Sequence, residues 1–204
     1  MRQIRKSKEP RSLLQHRAAQ GTYENLDKTE VRASLVAEQH GLCCYCMARI
    51  HDGPEKTKIE HYTPQGDGSE LDYRNLLAAC RGGEGNPRRE QHCDTRKGHR
   101  RLTIDPRHPS PHPGQLKYLT DGSIVAPTGE LQHDVDEVLN LNGMVLKTNR
   151  RDAVRHYQQL LAAELGDGEW RASDLRKAAE ELQRPDPRNE LMPFAEALRY
   201  WVTR

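Results

Sequence analysis

The chain has 204 residues, with 32 Lys or Arg against 30 Asp or Glu, 34% hydrophobic residues and 5% aromatic. That composition fits one medium domain or two small ones with a thin core. No stretch approaches the roughly 18 consecutive apolar residues of a membrane span. The basic start MRQIRKSKEPRSLL lacks the apolar segment and cleavage site of a secretion signal, so a cytoplasmic location is expected. The net charge of +2 conceals a segregation: residues 1 to 17 carry six basic groups and one acidic, 81 to 101 seven and three, and 128 to 204 eleven and fourteen. The two basic stretches suit either a phosphate backbone or a solvated face.

Taken in chain order, Asp27 opens a predicted helix, with Glu30 placed for a capping box, Leu26 for a staple onto Val31, and Gly41 as a stop. That helix leads directly into LCCYCM. From Cys43 to about Thr103, Gly, Pro and short polar runs break the pattern into strand-like pieces such as KIEHY and a short helix near Asp94. So few apolar residues cannot fold this segment by burial alone, and a covalent or metal staple is expected. Residues 104 to 130 contain five prolines and LKYLTDGSIV, which reads as two short strands around an Asp-Gly turn. Helical patterns follow in VLNLNGMVLKTNRRDAVRHYQQLLAAEL, ASDLRKAAEELQ and MPFAEALRYW. In the first of these, Val154, Tyr157, Leu161 and Leu165 share one stripe.

All five cysteines fall within 51 residues. In a reducing compartment this favours metal or catalysis over disulfides. Cys43 and Cys46 form a CxxC knuckle, and Cys80 and Cys93 can complete a tetrahedral structural Zn²⁺ site. Cys44 would be left over, and His92 could replace a cysteine as fourth ligand. No βαβ pattern supports a redox CxxC, and the zinc-deaminase signature is missing.

Between the halves of this set lie Glu60-His61 with Pro64 and, further on, Asn75-Leu76; Asp94 and Lys97 follow Cys93. This constellation resembles the HNH endonuclease family: a CxxC, an acidic residue beside His, Asn-Leu, then Cys followed by a metal-binding residue and Lys. The resemblance implies an α+β fold with a ββα-metal core, a four-cysteine zinc knuckle, an N-terminal helix and a helical C-terminal region. His61 suits a general base because imidazole titrates near neutral pH. Glu60 and Asp94 are hard oxygen ligands for a catalytic Mg²⁺ or Mn²⁺. By the resemblance, Asn75 would pin the loop between the strands and orient His61, while Lys97, Arg96, Arg100 and Arg101 would hold backbone phosphates of DNA. Glu60 and Asp94 depart from the commonest pattern, which has Asp and His or Asn at those places.

The resemblance extends over roughly residues 1 to 150 to the PtuB-type HNH nucleases of Septu and retron anti-phage defence systems. It is carried by the basic start ending in Pro10, EQHGLCCYCM, KIEHYTPQ, DYRNLLAAC, HCDTRKG and LNLN near 140. It implies a partner ATPase subunit, PtuA-like, of the same system. The expected organisation is a nuclease module over 1–127 and a helical region over 128–204 that could dock a partner. A zinc ribbon that binds nucleic acid or a partner without cleaving would use the same cysteines but would not need Glu60, His61 and Asp94. A scaffold subunit that recruits an ATPase is a third reading. Only Tyr45, Tyr62 and Tyr73 are aromatic between 41 and 103, too few for a single-strand stacking platform.

Overall fold

The computed structural model describes residues 1–66, 68–108, 113–166 and 169–204. Among them, seven α-helices and two small antiparallel sheets form an α+β architecture. No helix is long and apolar enough to cross a membrane.

Helix α1 spans Arg11–Ala18 and α2 spans Thr29–Glu38. The second begins later than the sequence suggests and has no capping box. Asp27 Oδ1 accepts from the Thr29 N–H at 3.0 Å, Lys28 occupies the cap position, and Glu30 turns away to accept from the Ser12 N–H at 3.3 Å. The carboxylate thus ties α2 to α1 instead of closing its own helix. The expected stop is in place. Gly41 takes φ +70° and donates its N–H to the Val36 carbonyl at 3.0 Å, a reversal that glycine adopts without strain. The basic N-terminal stretch is partly neutralised by folding: Lys6 pairs with Glu38, donates to Leu76 O at 2.8 Å and lies 4.0 Å over the Tyr73 ring.

Strand β1 (Thr57–His61) pairs antiparallel with β2 (Leu76–Cys80), Glu60 opposite Leu77 and His61 opposite Leu76. The connecting chain ends in a 3-10 turn, Tyr73–Asn75. The short helix α3, Cys93–Lys97, then packs on β2. Strands β3 (Lys117–Tyr118) and β4 (Ile124–Val125) form the second hairpin about the Asp121-Gly122 turn. Gly122 has φ +87°, and a Cβ there would lie 2.1 Å from the Lys147 carbonyl oxygen, so the close approach of this turn to the following helix needs glycine.

Helix α4 (Gly129–His133) continues into a π turn, Asp134–Val138, and α5 spans Met144–Leu165. The helical pattern expected from Val138 onward is interrupted at LNLN. Asn140 has φ +50° and donates to Gln91 O at 2.8 Å; Asn142 Oδ1 accepts from the Ile124 N–H at 2.7 Å. Asparagine side chains there bond neighbouring loops and hold the chain out of helix. Helices α6 (Ala172–Glu181) and α7 (Ala195–Val202) complete the fold. The predicted stripe on α5 is internal: Tyr157 and Leu161, with Val154 beside them, pack against Ala178, Ala179, Leu182, Leu198 and Val202, while Leu165 stays partly exposed. A larger core crosses position 127, joining Leu35, Tyr45 and Leu77 to Leu131, Leu141, Leu191 and Phe194.

Candidate functional site

The Cys43–Cys46 knuckle follows α2 because Gly41 reverses the chain, and a bridge between Leu42 and Arg49 closes it. Cys80 ends β2 and Cys93 starts α3, so separate stretches of backbone converge on one point. The four Sγ atoms lie within 4.8 Å of one another, with Cys43 to Cys93 and Cys46 to Cys80 each at 3.8 Å. A tetrahedron with metal–sulfur bonds of about 2.3 Å has edges of about 3.8 Å, so the set fits a zinc ion. It is the one group of three or more His, Cys, Asp or Glu with such spacing among the described residues.

Burial opposes ionisation of Cys43, yet hydrogen bonds from the neighbouring thiols hold it well below the ordinary thiol range, while Cys80 and Cys93 are pushed up. A dication is the partner that lets all four ionise together. Cys44 is buried outside the set, and burial pushes its thiol up. His92 Nδ1 stands beside the cluster, 3.3 Å from Cys93 Sγ and 3.9 Å from Cys80 Sγ, with all four sulfurs already in place.

At the end of β1, Glu60 is buried and its Oε1 accepts from the Tyr45 hydroxyl at 2.6 Å and pairs with Lys97 Nζ at 2.8 Å. Burial, then a hydrogen bond with Asp94 and its charge, push the Glu60 carboxyl well above the usual carboxylate range against the pull of Lys97. Asp94 lies below its ordinary value: burial opposes this, but the bond from Glu60 and the Lys58 ammonium at 3.0 Å outweigh it. Glu60 thus lies among Tyr45, Lys97 and Asp94, and Asp94 lies between Glu60 and Lys58.

His61 Nε2 is 3.1 Å from the Glu70 carbonyl oxygen, and Tyr23 packs edge-on at 4.5 Å between ring centroids. A carbonyl only accepts, so in the neutral ring Nε2 carries the hydrogen and Nδ1 keeps the lone pair. Burial lowers the His61 pKa, against the Glu70 contact. Asn75 holds the intervening loop: its Oδ1 accepts from the Thr63 N–H at 2.8 Å, and Nδ2 donates to Thr63 O and Ser69 Oγ, each at 3.0 Å. That loop leads into Glu70, whose carbonyl fixes the imidazole.

Of the four cationic residues expected on phosphates, Lys97, Arg96 and Arg100 are engaged by backbone carbonyls. Lys97 is buried and donates to His61 O at 2.9 Å, clamping the end of β1 to α3. Arg100 donates to Glu137 O at 2.9 Å and Val138 O at 2.8 Å, and Arg96 to Arg88 O at 2.9 Å. Carbonyls at the end of the π turn lack helical partners and draw the Arg100 guanidinium onto themselves. Arg101 is exposed. Three contributors escaped the sequence reading. Tyr45 lies inside the knuckle, Tyr23 lies in the loop before α2, and Lys58 stands two residues before Glu60, where the period of a strand puts both on one face.

No family model matches the chain, and no curated protein is significantly similar to it.

Proposed function

We propose that the protein is a metal-dependent HNH endonuclease that hydrolyses DNA phosphodiester bonds. On the strength of the sequence resemblance alone, we add that it works with an ATPase of an anti-phage defence system. The observation that carries the proposal is the paired carboxyls of Glu60 and Asp94 beside a His61 ring whose Nδ1 is left unprotonated, all on a hairpin-plus-helix unit stapled by four cysteines.

His61 Nδ1 would take a proton from the attacking water, with Glu70 O and Tyr23 fixing the ring. Glu60 and Asp94 fit a hard divalent ion in donor type, since Mg²⁺ is commonly held by one or two carboxylates and substrate phosphates. When bound, such an ion supplies positive charge at the scissile phosphate and the leaving oxygen. Lys97 and Lys58 position the two carboxyls and leave DNA backbone contacts to exposed groups such as Arg88, Arg89 and Arg101.

A second reading, a zinc module that binds without cutting, is favoured by one feature: Glu60 and Asp94 already have partners in Tyr45, Lys97 and Lys58. Incubating the zinc-loaded chain with plasmid DNA and Mg²⁺ or Mn²⁺, beside His61→Ala, separates the two. Cleavage by the wild type alone supports the nuclease. Cleavage by neither, with and without an ATPase partner and with zinc and fold intact in both, supports the binding module.

A further inference from the structure

A cleft of about 300 Å³ opens between the β3–β4 turn, α5 and α7. Four arginines line it, Arg150, Arg151 and Arg155 from α5 and Arg204 beyond α7, and no acidic residue does. Asp152 pairs with Arg151 at 3.0 Å but lies outside the lining.

Arg150 is the decisive group. It is 1% exposed and donates to the carbonyls of Gly122 and Leu141, yet its buried Nε has no acceptor and no carboxylate pairs with it among the described residues. Asp121, which pairs with Lys147 at 2.8 Å, and the thiols of Cys46 and Cys93 act on Arg150 only through space, and an anion in the adjoining cleft would offset the cost of burying a guanidinium that no carboxylate contacts. Arg155 is exposed and makes no ion pair among the described residues, so it is available at the mouth.

The α7 wall is aromatic, Tyr200 and Trp201, with the Arg204 guanidinium 4.6 Å over the Tyr200 ring. Guanidinium forks match phosphate oxygens, and Tyr or Trp faces accept planar rings. The volume is at the lower end of small-ligand sites, enough for one nucleotide.

We infer that this cleft is a nucleoside-phosphate site, with the phosphate on the arginines of α5 and the base against the Tyr200–Trp201 wall. The ligand is either a free mononucleotide or the terminal nucleotide of a strand. The inference does not depend on the nuclease reading, because none of its residues belongs to the β1–β2 hairpin or to α3.

The test is calorimetric titration of the full zinc-loaded chain with 5′-AMP, adenosine, inorganic phosphate and a 5′-phosphorylated oligo(dA). AMP is expected to bind with a micromolar Kd, and adenosine and phosphate each at least tenfold more weakly. Arg155→Gln, which alters an exposed side chain, should weaken AMP at least tenfold with unchanged circular dichroism and zinc content. Tighter binding of the oligonucleotide than of AMP assigns the site to strand ends, and weaker binding assigns it to free nucleotide. Absence of AMP binding, an Arg155→Gln affinity equal to wild type, or phosphate binding as tightly as AMP would each overturn the inference.

Discussion

Lys97 Nζ lies 2.8 Å from Glu60 Oε1 and 2.9 Å from the His61 carbonyl oxygen, and both the lysine and the glutamate are buried. One ammonium thus joins helix α3 to the end of strand β1. Removing one member of such a buried pair leaves the other without its partner, at a cost of about 3 kcal/mol. Lys97→Met should lower the unfolding free energy by about that amount, read by chemical denaturation, with zinc still bound. Combining it with Glu60→Gln should cost less than the sum of the single changes. Strict additivity would show that the two groups are not coupled.

His61 gives a pH dependence of definite sign. Its folded pKa is lowered by burial, so the unfolded chain binds the proton more tightly. The contribution of neutral His61 is complete above the ordinary imidazole value of about 6.5 and is lost as pH falls through that value toward the lower folded one. The unfolding free energy of wild type relative to His61→Asn should therefore decline only on the acid side of about 6.5. A decline with rising pH would contradict the burial of the neutral ring.

The cysteine geometry separates five thiols into four and one. The wild type should carry one zinc per chain, Cys44→Ala should retain it, and Cys46→Ala should lose it and unfold at a lower temperature, all measurable by elemental analysis and thermal melts. Zinc loss from Cys44→Ala would mean that the ligand set is wrong.

Gly82 links the Cys80 and Cys93 segments of that set. It has φ +59°, its carbonyl accepts from the His92 N–H at 2.9 Å, and a Cβ there would lie 2.1 Å from the His92 carbonyl oxygen. Gly82→Ala must displace His92 and with it Cys93. Zinc release to a competing chelator should be markedly faster than in wild type, and Gly85→Ala, where a Cβ meets nothing within 4 Å, should release zinc more slowly than Gly82→Ala. Equal rates would show that the close approach at Gly82 does not govern the site.

Short-range signals made part of this molecule legible from the amino-acid order alone. The CxxC knuckle, the KIEHY strand, the Asp121-Gly122 hairpin and the stop at Gly41 each depend on a few neighbouring residues whose backbone preferences agree with the fold. The residues flanking those elements were less transparent. Glu30 had two partners within reach and took the Ser12 amide, and LNLN carried helix-like spacing that asparagine hydrogen bonds to distant loops overrode.

The sequence by itself therefore determined the local elements and the residue types that gather between the cysteines. Only the tertiary structure decided their states: that Lys97 is buried against Glu60, that Arg100 faces carbonyls of the π turn, and that the Glu70 carbonyl sets the His61 tautomer. The physical reason is that burial and pairing arise between segments separated along the chain. A side chain's charge and hydrogen-bond partners follow from which segment packs over it, and residue spacing does not encode that.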